Sequence, residues 1–255
     1  MIKFFRNFLR LLWRVWFVIV AAVPILIGLP VIYYSIAFDK QKLFTWLKHA
    51  WGSWVLFWMG FRVKADNQAT IDPHQSYVII GNHTSVMDIM VLLKVIKLPF
   101  VFVGKIELSK IPIFGYLYKK SNVMVDRKSP RSRKEVYTQV VDFVKKGNSL
   151  AIYPEGGVPD PSVFLAPFKN GAFRIAIEHK LPIIPMVYYD NKRKYPYDIF
   201  KGSPGTLRVK ILPVIQTDQL TLDDVDELRD FAYNLIYTEL MNDQLSKEFK
   251  TLKTG

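Results

Sequence analysis

The sequence predicts an α/β protein, with a mixed, largely parallel sheet flanked by helices and an N-terminal membrane-embedded helical hairpin. Two observations predict this fold. From about residue 62 onward, short apolar segments alternate with helical patterns, which is typical of a sheet covered by helices on its faces. Before that point lie all six tryptophans and an uncharged run of 24 residues, 15–38. This run is long enough to enter a bilayer, since a span needs about 20 apolar residues.

Residues 1–61 are predicted to be a membrane anchor. Three residues that disfavour a straight helix interrupt the apolar run: Pro24, Gly28 and Pro30. Two interpretations follow, namely a single kinked span or a hairpin whose second helix is residues 43–61. We favour the hairpin, embedded from the cytoplasmic side, because positively charged flanks stay on that side. The cations before the run have helical spacing: Lys3, Arg6, Arg10 and Arg14. We therefore expect the cytoplasmic membrane as the location, with residues 62–255 forming a domain on its cytoplasmic face.

The composition excludes several classes of protein. Half of the 255 residues are hydrophobic, which excludes a disordered chain. There is no cysteine, so a disulfide scaffold, a cysteine nucleophile and a thiolate metal site are excluded. The net charge of +13 favours an anionic partner. Lysine and arginine beside tryptophan in the first quarter of the chain favour a membrane surface as that partner.

The elements after residue 62 follow from apolar runs and helix boundary signals. Short apolar runs predict strands at residues 76–80, 100–103, 122–125, 149–153, 182–189 and 207–215. Helical patterns between them predict helices at residues 85–97, 113–119, 130–146, 171–180 and 222–249, the last broken once. Thr84 or Ser85 can cap the first of these helices, and Gly147 ends the third. Residues 192–197 are predicted to form an exposed loop.

The first cluster of reactive residue types lies at the end of the 76–80 strand. His83 follows this strand, and Asp88 falls in the first turn or so of the next helix. Ligand sites of such sheets gather where strands end and helices begin. A carboxylate one turn away can accept the second ring N–H of a histidine and stabilise its imidazolium, as in a catalytic base with its orienting partner. The alternative is that Asp88 caps the helix and His83 is an ordinary loop residue.

The second cluster follows the 149–153 strand and contains Glu155, Gly156 and Gly157. Two glycines let backbone N–H groups approach an anion or a developing oxyanion, although Gly-Gly turns are also common without function. No Gly-x-Ser-x-Gly nucleophile elbow and no phosphate-binding Gly-x-x-x-x-Gly-Lys loop is present, and the four histidines lack metal-ligand spacing. A base without a covalent nucleophile indicates direct transfer, in which the base deprotonates a substrate hydroxyl that attacks an activated acyl group.

Four segments in order resemble the blocks of the glycerolipid acyltransferase family, over roughly residues 77–187. The His-x-x-x-x-Asp block matches His83 to Asp88, and the block with an arginine after a strand matches Asn122 to Arg127. The Pro-Glu-Gly block matches Pro154 to Gly156, and an apolar proline strand matches Leu181 to Pro185. The resemblance implies that residues 62–255 are an acyltransferase catalytic domain.

The resemblance also implies roles for single residues. His83 would be the general base and Asp88 its partner, and Glu155 with Gly156 would bind the glycerol part of the acceptor. Arg127 and Lys169 would hold the acceptor's phosphate. The oxyanion candidates are Lys105 together with two backbone positions, Gly156 and Gly157. No metal is implied.

The implied reaction transfers an acyl chain from an acyl thioester to the free hydroxyl of 1-acylglycerol 3-phosphate, which gives phosphatidic acid for phospholipid synthesis. The co-substrate would be acyl-CoA or acyl-carrier protein, and no cofactor is expected. The remaining partners would be membrane lipids and the lysophosphatidic acid acceptor.

One departure leaves the acceptor open. After Glu-Gly the family usually has Thr-Arg, and this chain has Gly157 and Val158. Because a bidentate arginine is the preferred phosphate ligand, an O-acyltransferase of a lyso-aminolipid is the alternative. A third reading is a non-catalytic, membrane-tethered basic protein that binds nucleic acid through residues 119–134. That stretch lacks interleaved aromatic residues and any known binding module, so no nucleic acid is expected as a partner.

Overall fold

A seven-stranded sheet forms the centre of the molecule. The computed structural model describes residues 2–110, 114–125 and 130–246. The strands are β1 Phe61–Asn67, β2 Val78–Gly81, β3 Phe100–Lys105, β4 Val123–Val125, β5 Ser149–Ile152, β6 Ile183–Tyr188 and β7 Gly205–Ile211. Their order is β1-β7-β6-β2-β5-β3-β4, and every neighbouring pair is parallel except β6 with β7. The predicted mixed, largely parallel sheet is therefore confirmed.

Helices cover both faces of this sheet. They are α1 Ile2–Ala37, α2 Gln41–Trp58, α3 Met87–Val95, α4 Phe114–Ser121, α5 Pro130–Lys145, α6 Gly171–Glu178, α7 Asn191–Lys194 and α8 Val225–Asn242. Two 3₁₀ turns, Ile106–Lys110 and Leu222–Asp224, complete the described elements. One hydrophobic core packs α2 and α3 against the sheet, and a second core contains buried residues of α5, α6 and α8. The hairpin side and the α8 side thus lie on opposite faces.

Three elements differ from the sequence prediction. β1 was missed because it pairs only with β7 at the sheet edge and buries one residue, Phe61, so it lacks a long apolar run. Residues 192–197 were predicted to form an exposed loop, and this was wrong in part: the short helix α7 includes residues 192–194, and Tyr195 is buried. The C-terminal helix is α8 after a 3₁₀ turn, and the predicted residues 247–249 lie outside the described part of the chain.

α1 and α2 form an antiparallel pair joined by residues 38–40. The indole N–H of Trp51 donates to the Ala21 carbonyl at 3.0 Å, and that of Trp13 donates to the Met59 carbonyl at 3.3 Å. α1 continues as one helix through both prolines. Its 36 residues span about 54 Å at the α-helical rise. It is long and apolar enough to cross a membrane, with a mean hydropathy of 2.7 in a window that is only 6% buried.

α2 belongs to the same hydrophobic core as α3. A Cβ on Gly52 would lie 2.7 Å from Leu93 Cβ and 3.1 Å from the Met90 carbonyl oxygen, so the two helices touch where α2 has no side chain. Val55 and Leu56 of α2 are fully buried in the same hydrophobic core as α3. Apolar packing therefore continues across residue 61, the predicted boundary between anchor and catalytic domain.

Candidate active site

The parallel pairing of β2 with β5 brings the two predicted clusters together. Ile80 pairs with Ile152, so His83 and Glu155 each lie three residues beyond a matched pair at the carboxyl ends of adjacent strands. The backbone N–H of His83 donates to Glu155 Oε1 at 2.5 Å. The ring of Tyr153 stacks on the imidazole at 4.0 Å between centroids and an interplanar angle of 13°. Tyr153 therefore holds the plane of the imidazole, a role that its place in the sequence did not indicate.

Asp88 acts on both the histidine and the helix start. Its Oδ2 accepts a hydrogen bond from His83 Nδ1 at 2.9 Å. The same oxygen also accepts hydrogen bonds from the backbone N–H groups of Thr84 at 2.6 Å and Ser85 at 2.8 Å. The carboxylate is fully buried, whereas the His83 side chain keeps 14% exposure. One carboxylate thus holds the loop before α3 and orients the imidazole. The role of His83 as a base stays a prediction. With Nδ1 engaged, Nε2 is the ring nitrogen of His83 that makes no hydrogen bond to any described residue.

A second group holds the other oxygen of this carboxylate. The side-chain amide of Asn191, in α7, donates to Asp88 Oδ1 at 2.7 Å. Ser85 Oγ donates to the Tyr195 carbonyl at 2.6 Å, which fixes the chain after α7 to the chain before α3. Asn191 was missed because it lies 103 residues from Asp88 and opens a Lys- and Arg-rich segment that reads as solvated.

Asn82 fixes the strand end that carries the histidine. Its side-chain amide donates to the Tyr188 carbonyl at 3.0 Å, and its Oδ1 accepts the Tyr188 N–H at 2.8 Å. A side chain thus continues the β2–β6 pairing beyond the last paired residue of β2. His83 consequently follows a strand end that is fixed on both sides, by pairing with β5 and with β6.

Glu155 joins the two loops through its carboxylate. Oε2 accepts the Ala166 N–H at 2.9 Å, in addition to the His83 contact at Oε1. Burial raises the pKa of Glu155 to about 7, although the two backbone N–H groups oppose this rise. The predicted contact of Glu155 with a glycerol hydroxyl stays a prediction, and each oxygen keeps a lone pair for such a contact.

The glycine turn after β5 lies beside Lys169. Gly156 has φ +80°, and its N–H donates to the Tyr153 carbonyl at 3.0 Å, so this N–H is engaged within the turn. A Cβ on Gly156 would lie 2.7 Å from Lys169 Nζ, which places that cation directly over the turn. Gly157 lines the neighbouring cavity. Two further predicted residues are not described: the Lys105 side chain and Arg127 lie outside the described part of the chain.

An apolar cavity of about 1080 Å³ opens beside His83. Its walls come mainly from α1, α2, α3 and β3, and Val158 and Lys192 lie on its lining as well. Apolar residues on one side of α3, beginning with the residue before it, line the cavity: Val86, Ile89, Met90 and Leu93. The cavity therefore extends from the histidine into the space between the hairpin and the sheet. Among the described residues, no three His, Asp or Glu side chains converge to hold a metal ion.

Comparison with known proteins agrees with this arrangement. The family model described as "Acyltransferase" matches residues 62–189. The chain is 28% identical over 194 residues to human 1-acyl-sn-glycerol-3-phosphate acyltransferase beta, which covers 73% of this chain and 67% of that protein. It is 30% identical over 171 residues to 1-acyl-sn-glycerol-3-phosphate acyltransferase of Salmonella typhimurium, covering 66% of this chain and 69% of that one.

A solved structure has the same fold. The crystal structure of the 1-acyl-sn-glycerophosphate (LPA) acyltransferase PlsC from Thermotoga maritima superposes with a TM-score of 0.71 at 19% sequence identity. The match covers 99% of this chain and 98% of that one, so the helical hairpin as well as the sheet has a counterpart there.

Proposed function

This chain belongs to the acyltransferase family, and we propose that it transfers an acyl chain from an acyl thioester to the free hydroxyl of 1-acylglycerol 3-phosphate, giving phosphatidic acid. The observation that carries this proposal is the contact of His83 with the buried Asp88 at the mouth of an apolar cavity. The family relatives named above act on the same acceptor by name.

The proposed chemistry is direct acyl transfer. His83 Nε2 takes the proton from the acceptor hydroxyl as its oxygen forms a bond to the thioester carbonyl carbon, and Asp88 stabilises the imidazolium. The tetrahedral oxyanion then collapses, the carbon–sulfur bond breaks, and the leaving thiolate takes the proton back from His83. Gly157 N–H and Lys105 are the proposed oxyanion donors. The proposed step uses no cofactor or metal of the protein.

The cavity supports an acyl substrate. Burying one methylene is worth about 0.8 kcal/mol, so a long chain gains most of its binding free energy from a wall of apolar side chains. The cavity lies between the hairpin and α3, with His83 on its lining. We propose that the chain of the acyl-CoA or acyl-carrier-protein donor occupies it, with the thioester held at the imidazole.

The acceptor's phosphate requires cations close to the same mouth. Lys169 Nζ over Gly156 supplies one, and Arg127 is the second proposed contact. Val158 lines the cavity where the family pattern has arginine. If this substitution decides the acceptor, a lyso-aminolipid will be acylated faster than lysophosphatidate.

The membrane arrangement that we propose is a hairpin held in one leaflet. Arg14 of α1 donates to the Pro196 carbonyl, and 19 residues later Tyr33 stacks on Tyr116 of α4 at 6.3 Å. α1 thus lies along the catalytic domain for about 29 Å, nearly the thickness of the bilayer hydrocarbon. A helix crossing at right angles would draw that domain into the hydrocarbon, whereas a helix lying in the leaflet leaves it on the cytoplasmic face.

The test is an acyl-transfer assay of the purified full-length chain in phospholipid vesicles. Lysophosphatidate, lysophosphatidylcholine and an amino-acid-based lysolipid are offered with acyl-CoA and with acyl-carrier protein. His83→Ala should lower turnover with the preferred pair by about 10²–10⁴-fold. His74→Ala, at an exposed histidine outside the site, is the matched control. Near-normal turnover of the His83 variant would remove the proposed base, and a faster amino-acid-based lysolipid would replace the phosphate acceptor.

A further inference from the structure

Outside the hairpin, three exposed apolar side chains lie close together in the described part of the chain. Of the 28 described large apolar side chains that are exposed, 21 belong to residues 4–58. Three of the others follow α7 within four residues of one another: Tyr197 is 59% exposed, Ile199 46% and Phe200 44%. We call residues 197–200 the rim segment. Exposed apolar side chains that lie together can mark a site of protein or membrane contact.

Two arginines of α1 hold the backbone of this rim segment and its flanks. The Arg14 guanidinium donates to three carbonyl oxygens, those of Pro196 at 2.7 Å, Asp198 at 3.0 Å and Lys201 at 2.9 Å. Arg10 donates to the Phe200 carbonyl at 2.5 Å. The backbone carbonyls are thus turned toward α1 and paired, and the apolar side chains stay exposed beside the uncovered face of that helix.

The chain that enters the rim segment is also part of the catalytic site. Arg14 lies 3.8 Å over the ring of Tyr195, whose carbonyl accepts the Ser85 hydroxyl. Pro196 and Tyr197 line the same cavity as His83. One continuous structure therefore runs from the lipid-facing helix to the mouth of the cavity.

We propose that the rim segment inserts into the lipid leaflet and forms the edge over which a lipid acceptor passes from the membrane to His83. The occupant is the interfacial layer of a bilayer, because the segment continues the apolar face of α1 and combines aromatic rings with the cations Arg10, Arg14 and Lys201. The lipid passage rests on the proposed function, whereas the insertion does not.

The insertion is tested by depth measurement, since the absence of cysteine makes single labelling clean. Phe200→Cys in the full-length chain is labelled with an environment-sensitive fluorophore and reconstituted in phosphatidylcholine–phosphatidylglycerol vesicles containing spin-labelled lipids. Phe57→Cys on α2, at a site 72% exposed, is the membrane reference, and Phe231→Cys on α8, 54% exposed, is the aqueous control on the opposite face.

Lipid quenching at position 200 close to that at position 57 is the expected result. Quenching no stronger than at position 231 would overturn the insertion. A label at position 200 shielded from both lipid and aqueous quenchers would show a protein contact there, such as a second copy of the chain or a carrier protein, and would overturn it as well.

The passage of the acceptor is tested with Ile199→Asp. The one carboxylate already in the rim segment, Asp198, pairs with Lys201 at 3.2 Å. A second carboxylate, at position 199, would enter the leaflet in place of an apolar side chain and is strongly disfavoured there, so kcat/KM for a long-chain acceptor in vesicles should fall by at least about tenfold. A short-chain acceptor dissolved in water should react as with the unaltered chain. Leu222→Asp, at a site 47% exposed and remote from α1, is the matched control. Equal losses with both acceptors would overturn the passage, and an unaltered chain inactive with every acceptor would refute the proposed function while leaving the depth result intact.

Discussion

Replacing Asp88 by Asn removes the charge of the buried carboxylate but keeps its shape. In the structure Oδ2 accepts three N–H groups, and Oδ1 accepts the Asn191 amide at 2.7 Å. The side-chain oxygen of the new Asn at position 88 should therefore face the three donors, and its NH₂ group then faces Asn191. The Oδ1 of Asn191 is buried without a hydrogen-bond partner among the described residues. Rotation of the Asn191 amide brings that oxygen to the new NH₂, so the fold tolerates the change.

This rotation of the amide groups determines how much turnover Asp88→Asn should lose. The asparagine oxygen still accepts Nδ1–H of His83, so the imidazole keeps the tautomer that leaves Nε2 as the base. What is lost is the negative charge beside the imidazolium that forms during transfer. A hydrogen bond to a charged group is worth about 1.5–3 kcal/mol, so turnover should fall about 10–150-fold. A wrong tautomer would cost far more, about 10⁴-fold in the serine proteases.

The assay compares Asp88→Asn with the double variant Asp88→Asn, Asn191→Asp, by turnover at saturating substrates and by chemical denaturation. The double variant returns a carboxylate to the cluster without returning it to His83. Its turnover should stay low, because the charge must touch the imidazole, and denaturation shows whether each variant is folded. A loss near 10⁴-fold in a folded single variant would refute the amide rotation, and unchanged turnover would remove the Asp88 charge from the mechanism.

Three further predictions concern the turn after β5 and the membrane. Gly156→Ala puts a methyl group at φ +80° and against Lys169, so KM for the phosphate acceptor should rise. Gly147→Ala, at φ +77° in open space, should cost only the backbone strain of about 1–2 kcal/mol and leave KM unchanged; equal KM values in both variants would contradict the placement of Lys169. Burial raises the pKa of Glu155 from 4.5 to about 7. Because the pKa of Glu155 is higher in the folded state, its proton binding contributes to the free energy of unfolding. This contribution is complete below the pKa of the unfolded chain and is lost as the pH rises through about 7. Relative to Glu155→Gln, the unaltered chain should therefore lose up to about 3 kcal/mol of unfolding free energy between pH 4.5 and 8, and parallel denaturation curves would argue against the shift. Alkaline carbonate should leave the chain in the membrane pellet, since most of its exposed apolar side chains are on the hairpin, and extraction would indicate a peripheral mode.

The order of the elements was readable from the sequence because each inner strand is a short apolar run closed by a turn. β2, β5 and β6 bury nearly all of their residues, and such runs are visible without neighbours. β1 escaped because an edge strand needs few buried residues. α7 was not predicted because its residues are buried by contacts with distant segments. A lysine-rich stretch has no local pattern that indicates such contacts.

The same distinction separates the parts of the site. By itself the sequence determined the His83–Asp88 pair, because five residues across a strand end and a first helical turn bring the two side chains together by local geometry. Only the tertiary structure decided what surrounds that pair. Glu155 reaches His83 over 72 residues through the parallel register of β2 and β5, and Asn191 reaches Asp88 over 103 residues through α7. The physical reason is that strand register and helix packing are set by the whole hydrophobic core, so contacts that depend on them leave no mark in the spacing of the residues that make them.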